Sequence, residues 1–164
     1  MQNPRYLPDD LRHKILETLS GHDIMVVGPL TVHSDHDGIR KFYDDIVAVC
    51  EKAGRHAYNA HKYTDPIKHP EITPEEVYII DKKLVSNVRL VLAYIGEPSS
   101  GTGQELEIAE VNDIPVIVLY EKGKRISRMV LGNPTIIDKI EFSNYEDALK
   151  QVEYKVEDFF SKNK

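Results

Sequence analysis

Two acids and a loop rich in glycine and serine are the residues best suited to chemistry in this sequence. The stretch 96–103 (GEPSSGTG) joins an apolar run to a helical segment that contains Glu105. The backbone N–H groups and hydroxyls of such a loop can bind one anion. We expect Glu105 in the first turn of the helix, where the dipole favours its ionised form and suits nucleophilic or electrostatic work. An ordinary loop before a capped helix would show the same spacing.

Asp81 is the second acid of interest. It falls at the edge of the apolar stripe of a helix predicted over 74–87, and burial there raises the pKa of a carboxyl and suits a proton donor. A structural ion pair with a Lys or Arg is the alternative. Two carboxyls in different environments are what glycosidic bond cleavage requires. The stripe consists of Val77, Ile80, Leu84 and Val85.

Other familiar motifs are absent from the sequence. The 96–103 loop has no Gly-Lys-Ser/Thr, Leu106 stands where a dinucleotide-binding loop has its third glycine, and there is no G-x-S-x-G. The run 33–37 (HSDHD) has metal-ligand residue types, but it lies in a predicted loop without helical register. We interpret it as a polar rim, and we predict neither a metal nor a cofactor.

Apolar runs alternate with amphipathic segments along the chain. This pattern predicts a doubly wound α/β fold with a mainly parallel five-stranded sheet, flavodoxin-like or Rossmann-like, covered by helices on both faces. Ligands bind such folds at the carboxyl ends of the strands, here at the loops 28–38 and 96–103. The predicted strands cover 24–27, 55–58, 89–95, 115–120 and 135–140, and the predicted helices 9–19, 39–53, 74–87, 104–112, 125–131 and 144–160, the last capped by Ser143.

Length and composition exclude several classes of protein. The 164 residues fit one domain over 23–164, preceded by a helical extension over 1–22. The net charge of −6 is unfavourable for non-specific nucleic-acid binding, and no run approaches the ~18 apolar residues of a membrane span. The single cysteine, Cys50, fits a core position in a reduced, cytoplasmic protein.

The run 98–106 (PSSGTGQEL), with LVLAYI before it and PVIVLY after it, resembles the nucleoside 2-deoxyribosyltransferase superfamily. It is most similar to the 2′-deoxynucleoside 5′-phosphate N-hydrolase branch, which has P-S-x-G-x-G-x-E-L at this place. That branch also has an Asp twelve residues before the alanine of the third strand, as Asp81 stands before Ala93. Its Ser-x-Met segment is matched by Ser127 and Met129.

The resemblance implies a role for each matched residue. Glu105 is expected to attack C1′ of the sugar and form a glycosyl-enzyme, and Asp81 to position or protonate the departing base. Water then releases the sugar 5-phosphate, with retention of configuration. Ser127 is expected to come from the neighbouring subunit of a homodimer with shared active sites. The residues expected to hold the nucleotide and its 5′-phosphate are Gly28, Ser99, Gly101, Gly103 and Ser127.

Two departures from the branch keep other functions open. The first loop (GPLTVH) lacks the branch's phosphate serine and arginine, for which Thr31, His33 and Ser34 are possible substitutes. Arg89 replaces an acid before the third strand, which leaves sugar recognition open. We therefore expect hydrolysis of (2′-deoxy)nucleoside 5′-monophosphates, with a base-exchanging 2-deoxyribosyltransferase and a non-catalytic nucleotide-binding module as alternatives.

Overall fold

Five strands and five α-helices alternate along residues 21–163 where the structure describes them. The computed structural model describes residue 17 and residues 21–31 and 35–163, so most of the predicted helix over 9–19 lies outside the described residues. A 3-10 turn, Ala60–Lys62, follows the second strand. The strands are β1 Ile24–Val27, β2 Ala57–Asn59, β3 Leu90–Tyr94, β4 Val116–Glu121 and β5 Ile136–Phe142, and the helices are α1 His36–Lys52, α2 Pro74–Val85, α3 Ser100–Val111, α4 Arg128–Leu131 and α5 Tyr145–Lys162.

The strands form one sheet in the order β2-β1-β3-β4-β5, and every neighbouring pair is parallel. This is the flavodoxin-like order, and it confirms the predicted fold class. The chain runs outward from β1 to β2 and then returns across β1 to β3, so the switch point lies between β1 and β3. Loops from both of these strands therefore meet at one edge of the sheet. Among the described residues, no helix is long and apolar enough to cross a bilayer.

Strands β1 to β4 are buried on both faces, which explains the continuous apolar runs in the sequence, whereas the edge strand β5 alternates exposed residues with buried or half-buried ones. Ile24 and Leu92 belong to a core cluster with residues of α1 and α5. Their neighbours Met25 and Val91 belong to a second cluster with residues of α2 and α3. The helices thus cover the two faces in pairs, and α2 and α3 lie side by side next to the switch point.

Several helix ends differ from the sequence-based prediction, and two of these differences concern the residue that caps the start of the helix. We predicted that α3 begins at 104, but it begins at Ser100, because the side chain of Ser99 accepts the N–H of Thr102 (3.3 Å) and caps it. We predicted Ser143 as the cap of α5, but Asn144 fulfils that role by accepting the N–H of Asp147 (2.9 Å). The first difference matters for the site, because it moves Glu105 out of the first helical turn.

Candidate active site

A cavity of about 960 Å³ opens at the carboxyl ends of β1, β2 and β3, at the switch point. One wall is the segment 60–74, which follows β2, and the facing wall is the start of α3. The segment after β1 contributes Gly28, Leu30 and Thr31. Asp81 from α2 and Glu105 from α3 both line this cavity, so the fold brings together the two acids that the sequence singles out.

Helix α2 holds Asp81 at the cavity. A reciprocal capping box fixes its start: Glu76 N–H donates to Thr73 Oγ1 (3.3 Å), and Thr73 N–H donates to Glu76 Oε2 (2.8 Å). Ile80 and Leu84 are buried in the core, and Asp81 lies beside them on the edge that faces the cavity. Burial raises the pKa of Asp81 to about 7.

Glu105 lies in the second turn of α3, and its side chain reaches the cavity while the next residue, Leu106, enters the core. Glu105 is 9% exposed. The expectation that the helix dipole keeps Glu105 ionised is wrong, because that effect is confined to the first turn. Instead burial, followed by the charge of Asp81, raises the pKa of Glu105 well above its ordinary value.

The two acids interact with each other rather than with a cation. Within the described part of the chain, no Lys, Arg or His forms an ion pair with Asp81 or Glu105. Two nearby carboxyls in a poorly solvated site cannot both ionise easily, so they titrate as a pair. A pair that carries one proton and one negative charge meets the requirement for an acid and a nucleophile.

The start of α3 supplies donors to the cavity beside Glu105. Ser99, Ser100 and Gly101 line the cavity, and the first-turn N–H groups have no carbonyl partner within the helix. The expected role of Gly103 as an N–H donor to phosphate does not fit, because its N–H donates to the carbonyl of Ser99 (3.1 Å). Within the described residues, the donors of this turn without a hydrogen-bond acceptor are therefore the N–H groups of Ser100 and Gly101 and the hydroxyl of Ser99.

Gly28 lines the cavity where the chain leaves β1. A Cβ atom at this position would lie 2.1 Å from the hydroxyl oxygen of Tyr43, which itself donates to the carbonyl of Pro29 (3.1 Å). Burial, and to a smaller extent the charge of Glu105, raises the pKa of Tyr43, so its hydroxyl remains protonated. Gly28 is thus required by the close approach of Tyr43, a partner that its position in the sequence does not reveal.

Ser127 lies away from this cavity. It caps the short helix α4, is exposed, and accepts the N–H of Val130 at 3.5 Å. It is not among the described residues that line the cavity in the single chain. Ser127 would therefore contact a phosphate only in the cavity of another subunit, as the resemblance implies.

The first loop is described only in part, because residues 32–34 lie outside the described residues, and with them His33 and Ser34. Of the possible phosphate ligands in this loop, Thr31 lines the cavity. Two residues of the run 33–37 have structural contacts: Asp35 caps α1 by accepting the N–H of Gly38 (2.9 Å), and His36 Nδ1 lies 3.2 Å from the carbonyl of Leu30. Among the described residues, no cluster of His, Cys, Asp and Glu could hold a metal ion.

Arg89, which replaces an acid of the family, lies at the other edge of the sheet. It precedes β3, and a five-residue strand separates it from the cavity by roughly 17 Å. Its guanidinium carbon lies 4.8 Å from the ring centroid of Phe160. The departure at Arg89 therefore concerns the anchoring of α5 and does not remove a group from the cavity.

The segment 60–74 carries cavity residues that the sequence analysis treated as a plain loop. Thr64 is buried, and its Oγ1 lies 3.5 Å from Asp81 Oδ1. His69 also lines the cavity, with its Nδ1 3.3 Å from Glu71 Oε1. Tyr58, at the end of β2, is buried, and the charge of Asp81 contributes to raising the pKa of its hydroxyl. No periodicity or motif marks these residues, because the tertiary fold brings them together.

Curated relatives agree with the resemblance. The chain is 30% identical over 112 residues to a protein of Methanosarcina mazei named "Putative 2'-deoxynucleoside 5'-phosphate N-hydrolase 1", covering 67% of this chain and 70% of that protein. It is 36% identical over 86 residues to the protein of the same name from Methanosarcina barkeri, covering 51% and 54% respectively. No protein-family model matches the chain.

Solved structures share the fold. A CMP N-glycosidase of Clostridium botulinum superposes with a TM-score of 0.63 at 16% identity, covering 80% of this chain and 98% of that one. A 2-deoxyribosyltransferase of Bacillus psychrosaccharolyticus superposes with a TM-score of 0.52 at 16% identity, covering 77% and 89%. The solved structures show the fold, and the match to the Methanosarcina mazei protein shows that the chain belongs to the 2′-deoxynucleoside 5′-phosphate N-hydrolase family.

Proposed function

We propose that the protein hydrolyses the N-glycosidic bond of (2′-deoxy)nucleoside 5′-monophosphates and releases the free base and (deoxy)ribose 5-phosphate. One observation carries this proposal. Glu105 and Asp81 face a single cavity without a cationic partner among the described residues, beside a helix start that presents donors to an anion. The names of the curated relatives and of the solved CMP N-glycosidase describe the same class of reaction.

The chemistry assigns one role to each acid. When the single proton of the pair lies on Asp81, the Glu105 carboxylate attacks C1′ and forms a glycosyl-enzyme while the bond from C1′ to the base nitrogen breaks. Asp81, as the protonated member, gives its proton to the departing base. Water then attacks C1′ from the face that the base left, Asp81 takes a proton from that water, and Glu105 is released. Two displacements at one carbon retain its configuration.

The 5′-phosphate binds at the start of α3 in this proposal. The hydroxyl of Ser99 and the N–H groups of Ser100 and Gly101 donate to its oxygens, and the positive end of the helix dipole favours its charge. Gly28 allows the chain after β1 to approach from the opposite side. A phosphate held here places the sugar next to Glu105, which lies one turn further along the same helix.

We further propose that the protein acts as a homodimer in which Ser127 of the partner subunit reaches the phosphate. Ser127 is exposed, and Met129 near it is 87% exposed, as expected for residues that a partner subunit covers in the dimer. A cytoplasmic location is consistent with the free, buried thiol of Cys50.

A panel of nucleoside and 2′-deoxynucleoside monophosphates, assayed for free base by chromatography, tests the proposed function. We expect base release from at least one nucleotide by the wild type, and a loss of at least 10³-fold in the Glu105→Gln variant, because the amide cannot act as nucleophile. The matched control is Glu107→Gln, because Glu107 lies two residues after Glu105 on α3 and is exposed. Equal activity of wild type and Glu105→Gln would contradict the proposal.

Base exchange by a 2-deoxyribosyltransferase is the second candidate, favoured by the shared fold of the Bacillus enzyme. It uses the same glycosyl-enzyme, but a second base takes the sugar in place of water. Incubation of the protein with a nucleoside and a different free base distinguishes the two, because a new nucleoside forms only by transfer. A ligand-induced rise in Tm without any product would indicate the binding module instead.

A further inference from the structure

Thr64 is positioned to act on Asp81 from the opposite wall of the cavity. It is 5% exposed and lies just after the 3-10 turn Ala60–Lys62. Its Oγ1 donates to the carbonyl of Ala60 at 2.9 Å and lies 3.5 Å from Asp81 Oδ1. A hydroxyl has one proton, so Thr64 can donate to one of these two oxygens at a time.

The shorter contact decides where the proton of Thr64 lies while Asp81 is protonated. At 2.9 Å the Ala60 carbonyl is the better acceptor for the hydroxyl proton, and a hydroxyl that donates there can accept the proton of a protonated Asp81. When Asp81 becomes a carboxylate, a charge-assisted bond is stronger than a neutral one, so rotation about the Cβ–Oγ bond brings the Thr64 proton to Oδ1. The carbonyl of Ala60 is not left unsatisfied, because it still accepts the N–H groups of Tyr63 (3.2 Å) and Thr64 (3.0 Å).

We propose that Thr64 is a positioning residue of the reaction, whose hydroxyl turns from the Ala60 carbonyl to Asp81 as Asp81 protonates the departing base. The inference rests on the proposed function. In this step the Asp81 proton moves to the base nitrogen, the bond from C1′ to that nitrogen breaks, and the bond from Glu105 to C1′ forms. Thr64 keeps its own proton throughout. Its new bond stabilises the Asp81 carboxylate that develops in the transition state, and therefore raises kcat.

Among the described residues, Thr64 is the group with a side-chain hydrogen bond to Asp81, and the other groups around Asp81 make none. Glu105 faces it from α3 and repels a carboxylate. Tyr58 faces it from β2, but its buried hydroxyl makes no hydrogen bond within the described residues. His69 lines the same cavity, but its Nδ1 lies next to Glu71. Thr64 is the group of this wall whose donor atom lies within 3.5 Å of Asp81.

Steady-state kinetics of base release from pH 5 to 9 test the inference, with the nucleotide that the wild type hydrolyses. In Thr64→Val the hydroxyl is replaced by a methyl group of similar size. We expect kcat to fall about tenfold, with KM within twofold of wild type. This loss is smaller than the loss from removing a short hydrogen bond to an oxyanion, because the contact between Thr64 and Asp81 is long. The basic limb of the kcat profile should move to higher pH, because the Asp81 carboxylate has lost its donor.

Thr64→Ser keeps the hydroxyl and should retain both the wild-type kcat and the wild-type basic limb. Thr64→Ala is measured beside Thr64→Val, so that a folding failure in one variant leaves the test intact. A wild-type kcat and pH profile in Thr64→Val or Thr64→Ala would overturn the inference, as would an equal loss in Thr64→Ser. If the wild type releases base and Glu105→Gln does not, these outcomes overturn the role of Thr64 alone and leave the proposed function standing.

Discussion

Charged side chains have different surroundings at the two edges of the parallel sheet. At the amino edge, Arg89 lies 3.8 Å from Asp23, and both Arg89 and Arg55 contact the ring of Phe160, at 4.8 and 4.2 Å from its centroid. At the carboxyl edge, Asp81 and Glu105 face each other without a cation among the described residues. The first edge uses charge to anchor α5, whereas the second keeps two acids in an environment that destabilises their ionised forms.

This difference separates a structural use of charge from a chemical one. An exposed guanidinium near a carboxylate and an aromatic ring contributes modestly to stability. A buried acid without a cation costs stability whenever it ionises, and such groups cluster at functional sites. The carboxyl edge is therefore where substitutions should affect turnover most, and the amino edge is where they should affect folding.

Among substitutions at the two edges, Asp81→Asn should have the largest effect on turnover. The amide cannot give a proton to the departing base, so we expect kcat to fall about 10²–10³-fold. The basic limb of the pH profile, which reports the proton on Asp81, should disappear. The measurement is base release from pH 5 to 9, with the exposed neighbour Lys82→Gln as control. Retention of the basic limb in Asp81→Asn would assign that proton to another group.

A smaller effect is expected for Ser99→Ala, which removes a hydroxyl at the phosphate end of the same cavity. We expect KM for the nucleotide to rise about tenfold, because a charge-assisted hydrogen bond is lost. Any activity on the matching nucleoside should change little. Ser99→Thr keeps the hydroxyl and the cap of α3, and serves as control. The same loss on nucleotide and nucleoside would show that Ser99 acts by capping the helix and makes no contact with phosphate.

The smallest expected effects are on stability, where the two edges should respond with opposite sign. The pKa of Asp81 is raised from 3.8 to about 7 in the folded state, so the folded protein binds more protons than the unfolded chain between these values. Wild-type stability therefore falls as pH rises through this window. Asp81→Asn removes that cost and should raise Tm by a few degrees at pH 8, at about 2–4 °C per kcal/mol, with a smaller gain at pH 5.

The matching variant at the amino edge is Arg89→Gln. It should lower Tm by about 1–3 °C at both pH values, because the contacts with Phe160 and Asp23 are lost, and should leave kcat unchanged. Thermal unfolding followed by circular dichroism gives both Tm values. A fall in Tm for Asp81→Asn at pH 8, or a loss of kcat in Arg89→Gln, would break the contrast between the two edges.

Sequence patterns were sufficient for the architecture because burial on both faces of a strand leaves a continuous apolar run. The runs at 24–27 and 115–120 coincide with β1 and β4 within one residue. The capping pattern from Thr73 to Glu76 likewise predicts the start of α2. These are local signals. They assign Asp81 to α2 and Glu105 to α3, two helices that line the same cavity at the carboxyl edge of the sheet.

What the sequence could not supply depends on contacts between distant segments or on competing local preferences. Gly101 and Gly103 are poor helix formers, so the start of α3 was predicted as a loop, although Ser99 caps a helix there. Thr64 contacts Asp81 across 17 positions of sequence, and nothing in its proline-rich surroundings indicates that contact. The fit of Tyr43 against Gly28 is also a property of the packed fold.

The proposed reaction requires that the carboxylate of Glu105 bonds to C1′ of the sugar. The most direct test incubates the wild type with a 2′-deoxy-2′-fluoro nucleotide, whose fluorine slows release of the glycosyl-enzyme, and maps the adduct by peptide mass spectrometry. We expect a sugar phosphate on the peptide that contains Glu105, and no adduct on the Glu105→Gln variant. Base release with the sugar attached to another residue would contradict it.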